Sequence, residues 1–185
     1  MAQRKRRGPR PVSLDRLKQG ALRYLGQRDA SRAQLRRVLV RRVDRALRVH
    51  GGDRDEALGW VDEVLVYCER LGYLDDARYA RGKARSMRRR GASERKIRAK
   101  LAEKGVAGEL VDAPLEAEGG DAELVAALRL VRRRRFGPFA RAEVDRDAHR
   151  KQLAALGRAG FGYDTARRAL EMDREEAEER LHAAD

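Results

Sequence analysis

The sequence predicts an all-α fold in which tandem three-helix repeats stack into an elongated, curved array. Three observations lead there. Good helix formers (Ala, Leu, Arg, Glu) dominate the 185 residues, whereas aromatics make up only 5% and β-branched residues are sparse. Apolar residues recur every three or four positions, which is the spacing of one face of a helix. Finally, three helix joints superpose: SRAQLRRVL at 31–39, SERKIRAKL at 93–101 and GYDTARRAL at 162–170 each carry an apolar or small residue fifth, Arg sixth and Leu ninth.

The elements follow in chain order. Residues 1–13 read as a disordered basic arm, because the first eleven residues carry five cations and two prolines without apolar periodicity. Leu14, Leu17, Ala21 and Leu25 mark one helix, and Leu35, Val38, Leu39, Val43, Ala46 and Leu47 mark the next. Ser31 is placed to cap that second helix, with Gln34 completing a capping box. A longer helix starts at Asp53, turns Val61, Val64, Leu65, Cys68 and Leu71 inward, and stops at Gly72.

Asp75 caps a helix bearing Tyr79, Ala80, Ala84 and Met87 that ends at Gly91; Ser93 then opens a short helix around Ile97 and Leu101 that ends at Gly105. A helix near 121–135 carries Leu124, Leu128 and Val131 inward and is broken by FGPF at 136–139. Helices near 141–157 and 163–171 and an acidic closing helix complete the chain. Three repeats are expected, at 14–71, 76–135 and 141–183. Each buries little alone, so stacking has to supply much of the stability.

Composition narrows function. Lys and Arg number 44 against 30 Asp and Glu, giving a net charge of +14 and pointing to polyanionic partners. Hydrophobic residues at 42% supply a core despite 40% charged residues. Cys68 is the only cysteine and lies in an apolar stripe, so it reads as a buried structural thiol in a reducing compartment. No apolar run approaches the roughly 20 residues that span a bilayer, and no signal-peptide core follows the basic arm, so a cytoplasmic protein without a membrane partner is expected. His50, His149 and His182 lack metal-ligand spacing, no phosphate-cradling glycine loop is present, and Asp75 is already used as a cap. No enzyme activity, metal or cofactor is expected.

The cations are segregated from the acids. Residues 81–104 hold eleven cations and two acids, whereas 51–76 hold eight acids and two cations. Such segregation produces a directed field. Arg88, Arg89 and Arg90 at an exposed helix end, Lys96 and Lys100 on the following helix, and the block Arg132, Arg133, Arg134 and Arg135 are the cations placed to meet a polyanion. The short helix after Ser93 offers little for reading base edges, so contact with single- or double-stranded DNA is expected to be sequence-nonspecific.

ERLGYLDDARYA at 69–80, followed by RRRGASERKIRAKLAEKGV at 88–106, resembles the signature of the RecX regulatory proteins, and RKQLAALGRAGFGYDTARRAL at 150–170 is similar to their closing motif. The resemblance spans about 14–171. It implies a curved array of three-helix repeats lying in the groove of a RecA filament on DNA. It further implies inhibition of the RecA ATPase, strand exchange and coprotease functions in homologous recombination, DNA repair and the SOS response. No role is carried onto the basic arm or the acidic final helix. A monomer is the default, since the repeats offer no separate self-association surface. The alternative is a stand-alone nucleic-acid-binding protein.

Overall fold

The computed structural model describes residues 10–117, 119 and 121–184, so the basic arm lies outside the described residues up to position 9. Secondary structure among the described residues is entirely helical. Their packing forms two compact units, Met1–Tyr79 with Lys104–Val106, and Ala80–Glu103 with Ala107–Asp185. These units do not coincide with the three repeats expected from the sequence. None of the helices among the described residues is long and apolar enough to cross a membrane.

The first unit contains α1 (Leu14–Leu25), α2 (Arg32–His50) and α3 (Arg54–Arg70). Its core joins Leu17 and Ala21 of α1, Leu35, Leu39 and Val43 of α2, and Val61, Val64, Leu65 and Cys68 of α3. Each fully buried Leu or Val contributes about 1.5–3 kcal/mol through removal from water. Burial also pushes the Cys68 thiol pKa up, and the nearby Glu69 charge adds to the shift. The capping box at Ser31 forms as expected: Ser31 Oγ accepts the Gln34 amide at 3.2 Å and the Gln34 side chain accepts the Ser31 amide. Asp53 caps α3 through the amides of Asp55 and Glu56.

One inward assignment fails. Leu71 is 51% exposed, because α3 has ended and the chain reverses at Gly72. The amides of Tyr73 and Leu74 fold back onto the Cys68 carbonyl, and Leu74 takes the buried place instead. A hydrophobic contact just beyond the helix end is the usual companion of this reversal.

Most of α4 (Asp76–Arg89), together with α5 (Glu94–Glu103), α6 (Glu109–Glu116), α7 (Ala122–Arg134), α8 (Arg146–Arg158), α9 (Tyr163–Glu171) and α10 (Arg174–Ala183), belongs to the second unit; a 3-10 turn spans Gly137–Phe139. Asp75 caps α4 by accepting the Arg78 amide at 2.8 Å. The sequence reading did not place α6, whose interior holds Pro114 and whose apolar residues, Val111 and Leu115 among them, are too few to show a period. Its buried Val111 and Leu115 lie against α5, which buries Ile97 and Leu101.

The centre of this unit is α7. Leu124, Ala126, Ala127, Leu128, Leu130 and Val131 are all buried, and they share one core with Leu156 of α8, Ala166, Ala169 and Leu170 of α9, and Ala177 and Leu181 of α10. Alanines on both α7 and α9 let the two backbones approach closely, a geometry that larger side chains would prevent. The helix assigned by sequence to the second repeat therefore packs with the helices assigned to the third.

Candidate nucleic-acid interface

The cations singled out by sequence all lie in the second unit, at helix ends. At the C-terminus of α4 the chain turns at Gly91, whose φ of 72° is left-handed. A Cβ there would come within 2.8 Å of the Leu130 amide nitrogen and 2.9 Å of the Ala126 carbonyl, both on α7. Only glycine permits this approach, and it seats the end of α4 directly on α7.

That seating brings two basic blocks together. The Arg133 guanidinium, from the last turn of α7, donates a hydrogen bond to the Arg90 carbonyl. Arg89, Arg90 and Arg132 to Arg135 are all exposed, and none of them forms an ion pair with a described carboxylate. Arg135 caps α7 in the left-handed conformation at φ 57°, and Arg134 lies over the Phe136 ring at 5.9 Å. Cations in the last turns of α4 and α7 complement the negative ends of the helix dipoles, and their outward guanidinium edges remain available to phosphate oxygens.

Arg88 is a correction. The sequence places it at an exposed helix end with its two neighbours, yet it is 6% exposed. Its guanidinium donates to the Glu123 carboxylate and to the Ala92 carbonyl at 3.3 Å. Glu123 in turn accepts the Glu94 amide at 3.0 Å, satisfying one of the open donors at the N-terminus of α5. The pair thus ties α4, α5 and α7 together. The physical reason is helical phase: Arg88 follows Ala80 and Ala84 at four-residue spacing on the buried stripe, whereas Arg89 is rotated by about 100° to the outside.

Lys96 is exposed, whereas Lys100 is half-buried and paired with Glu103 at 2.7 Å. The arginines repeated at the three joints are also accounted for locally. Arg36 pairs with Asp62 at 3.1 Å, Arg98 with Glu94 at 2.8 Å and with Asp112, and Arg167 with Glu171 at 3.8 Å. Hydrogen bonds from Arg98 to Asp112 and Glu94 hold its pKa above the ordinary value. In the first two cases the arginine clips the second helix of a joint to the helix that follows it. Exposed pairs of this kind contribute about 0–1 kcal/mol each.

Both serine joints use one device. Ser31 Oγ donates to the Lys104 carbonyl at 2.5 Å within the first unit, and Ser93 Oγ donates to the Ala159 carbonyl at 2.7 Å within the second. An acid from elsewhere in the same unit then receives the next amide: Asp76 accepts the Arg32 N–H at 2.7 Å, as Glu123 accepts that of Glu94. Burial raises the Asp76 pKa, and the Arg32 amide offsets part of that rise. Sequence reasoning missed Glu123 and Asp112 because both partners are remote in the chain and neither sits in a local motif.

Comparison with known proteins places this geometry. The family model described as RecX, second three-helix domain, matches residues 75–115, which hold α4, α5 and α6. The chain is 43% identical over 179 residues to the regulatory protein RecX of Myxococcus xanthus, covering 92% of this chain and 94% of that protein. It is 35% identical over 164 residues to the regulatory protein RecX of Agrobacterium fabrum, covering 89% and 86%. The crystal structure of RecX from Lactobacillus salivarius superposes with a TM-score of 0.61 at 16% identity, over 92% of this chain and 97% of that one, a likeness of fold alone.

Proposed function

Because the chain belongs to the RecX family of regulatory proteins, we propose that it binds RecA filaments on DNA and inhibits their ATPase, strand-exchange and coprotease activities in recombinational repair and the SOS response. It acts by binding, as a cytoplasmic monomer without a reaction of its own. Repeats at 14–71, 76–135 and 141–183 supply successive contacts along the filament, with α6 an added short helix in the second.

The observation that carries the contact surface is the joined block of Arg89, Arg90 and Arg132 to Arg135; Lys96 and Lys100 on α5 are proposed as further contacts. Six exposed guanidinium groups without described acidic partners favour the phosphate backbone and carry no base-reading geometry. Arg88 holds this block in place and does not touch the partner.

The test compares two concentrations. Inhibition of the RecA DNA-dependent ATPase at protein levels far below those that saturate bare DNA is the expected result. Inhibition that appears only as bare DNA becomes coated would overturn the filament reading in favour of simple competition for DNA. Arg89→Ala with Arg90→Ala should weaken filament binding without changing thermal unfolding.

A further inference from the structure

The first unit holds a second concentration of cations that the sequence reading did not single out. Between α1 and α2 runs a cleft of about 750 Å³ lined by Arg10, Arg16, Arg23, Arg41, Arg42 and Arg45, with no acidic residue on its walls. All six arginines are exposed, and the floor is apolar, with Leu17 and Ala46 buried beneath them. Arg16 donates to the Pro11 carbonyl at 2.7 Å, and none of the six forms an ion pair with a described carboxylate.

The contrast within the same unit is sharp. Lys18 pairs with Glu63 at 3.1 Å, Arg32 with Glu69 at 2.8 Å, Arg36 with Asp62 at 3.1 Å and Arg54 with Asp44 at 3.1 Å. These four cations outside the cleft are paired with acids, three of which lie on α3, whereas the six in the cleft are left without a described acidic partner. Mutual repulsion of six guanidinium groups costs stability, and an anion in the cleft would remove that cost.

Gly20 supplies an independent geometric sign. It sits in the interior of α1, where glycine is normally unfavourable, yet a Cβ there would lie 1.5 Å from the Arg42 guanidinium nitrogen. The missing side chain makes a seat on α1 across which Arg42 of α2 is laid, fixing one cation at the wall of the cleft. Arg41 and Arg45 stand one helical turn apart, about 6 Å along α2, and Arg16 and Arg23 two turns apart, about 10 Å along α1. Two such rows facing across a trough suit a chain of phosphates better than a single anion.

We propose that this cleft binds the phosphodiester backbone of a single nucleic-acid strand, separately from the basic block of the second unit. The site deepens the nucleic-acid part of the proposed function but does not depend on RecA. Guanidinium forks grip phosphate oxygens in pairs, which explains why every cation in the lining is an arginine.

The experiment uses the full chain and a fluorescein-labelled oligothymidine, with no RecA present, and follows anisotropy across a salt series. Arg41→Ala with Arg45→Ala should flatten the log-log salt dependence by about 1.4, at about 0.7 per lost contact with a single strand. Gly20→Ala should displace the Arg42 guanidinium and flatten the slope by about 0.7, with no fall in the thermal midpoint. Arg36→Ala, whose partner is Asp62, should leave the slope unchanged. Unchanged slopes in both the double variant and Gly20→Ala overturn the proposal, as does an equal loss in Arg36→Ala. Binding of phosphatidylglycerol vesicles without binding of the oligonucleotide overturns it in favour of a lipid surface. Since RecA is absent, any of these failures leaves the filament reading standing, and loss of RecA inhibition alone leaves the cleft standing.

Discussion

Replacing Arg88 with Met keeps most of the apolar stem while deleting the guanidinium, so it isolates the charge. In the native second unit Arg88 is 6% exposed and its partner Glu123 has a side-chain exposure of 25%. Breaking a fully buried ion pair from one side costs about 3–5 kcal/mol, chiefly because the surviving charge is stranded. Water at the exposed quarter of Glu123, and its retained bond from the Glu94 amide, reduce that to about 2–3 kcal/mol. For a unit of roughly this size the thermal midpoint should fall by about 10–20 °C. Arg89→Ala, one residue along and exposed, should change stability by less than about 0.5 kcal/mol. Thermal unfolding followed by circular dichroism distinguishes them, and a cycle through Glu123→Gln should show a coupling of about 1–2 kcal/mol. Equal midpoints for Arg88→Met and Arg89→Ala, or strict additivity in the cycle, would refute the pairing as the reason for the burial of Arg88.

Three further outcomes are expected. Ile97→Asp should unfold much of the second unit, since an unpaired carboxylate would enter a fully buried position at a cost of several kcal/mol; a near-normal urea midpoint would show the inward face of α5 to be misplaced. Asp76, whose folded pKa is raised chiefly by burial, contributes stability that is fully present below the unfolded carboxylate value of about 3.9 and is lost as pH rises through the higher folded value. The stability of the native chain relative to Asp76→Asn should therefore fall from acid toward neutral pH in urea titrations, and a difference that grows with pH would contradict this. Deleting 141–185 should leave an aggregating chain, because it strips Leu156, Phe161, Leu170 and Leu181 from the core around α7. A soluble monomeric fragment with a cooperative melt would show that α7 finds its partners elsewhere.

Local signals in the chain were sufficient for every described α-helix except α6 and for the caps at three of them. Ser31, Asp53 and Asp75 each satisfy amides within three residues of themselves, and the four-residue recurrence of Leu35, Leu39 and Val43 is a property of one helix, so neither depends on the rest of the fold. The family resemblance was equally legible, because it rests on contiguous residues at 69–106 and 150–170. Where the structure departs from local pattern, the deciding partner is distant in sequence. A run of three arginines looks uniform in one dimension, and only helical phase together with Glu123, 35 residues further on, separates buried Arg88 from exposed Arg89. The cleft was hidden for the same reason: Arg16 and Arg23 belong to one amphipathic helix, Arg41, Arg42 and Arg45 to another, and each set alone reads as an ordinary wet face. Periodicity determines which face of a helix is polar, since that follows from the backbone repeat. Which polar faces meet acids and which are left to meet a partner is settled by through-space electrostatics, and that required the tertiary structure.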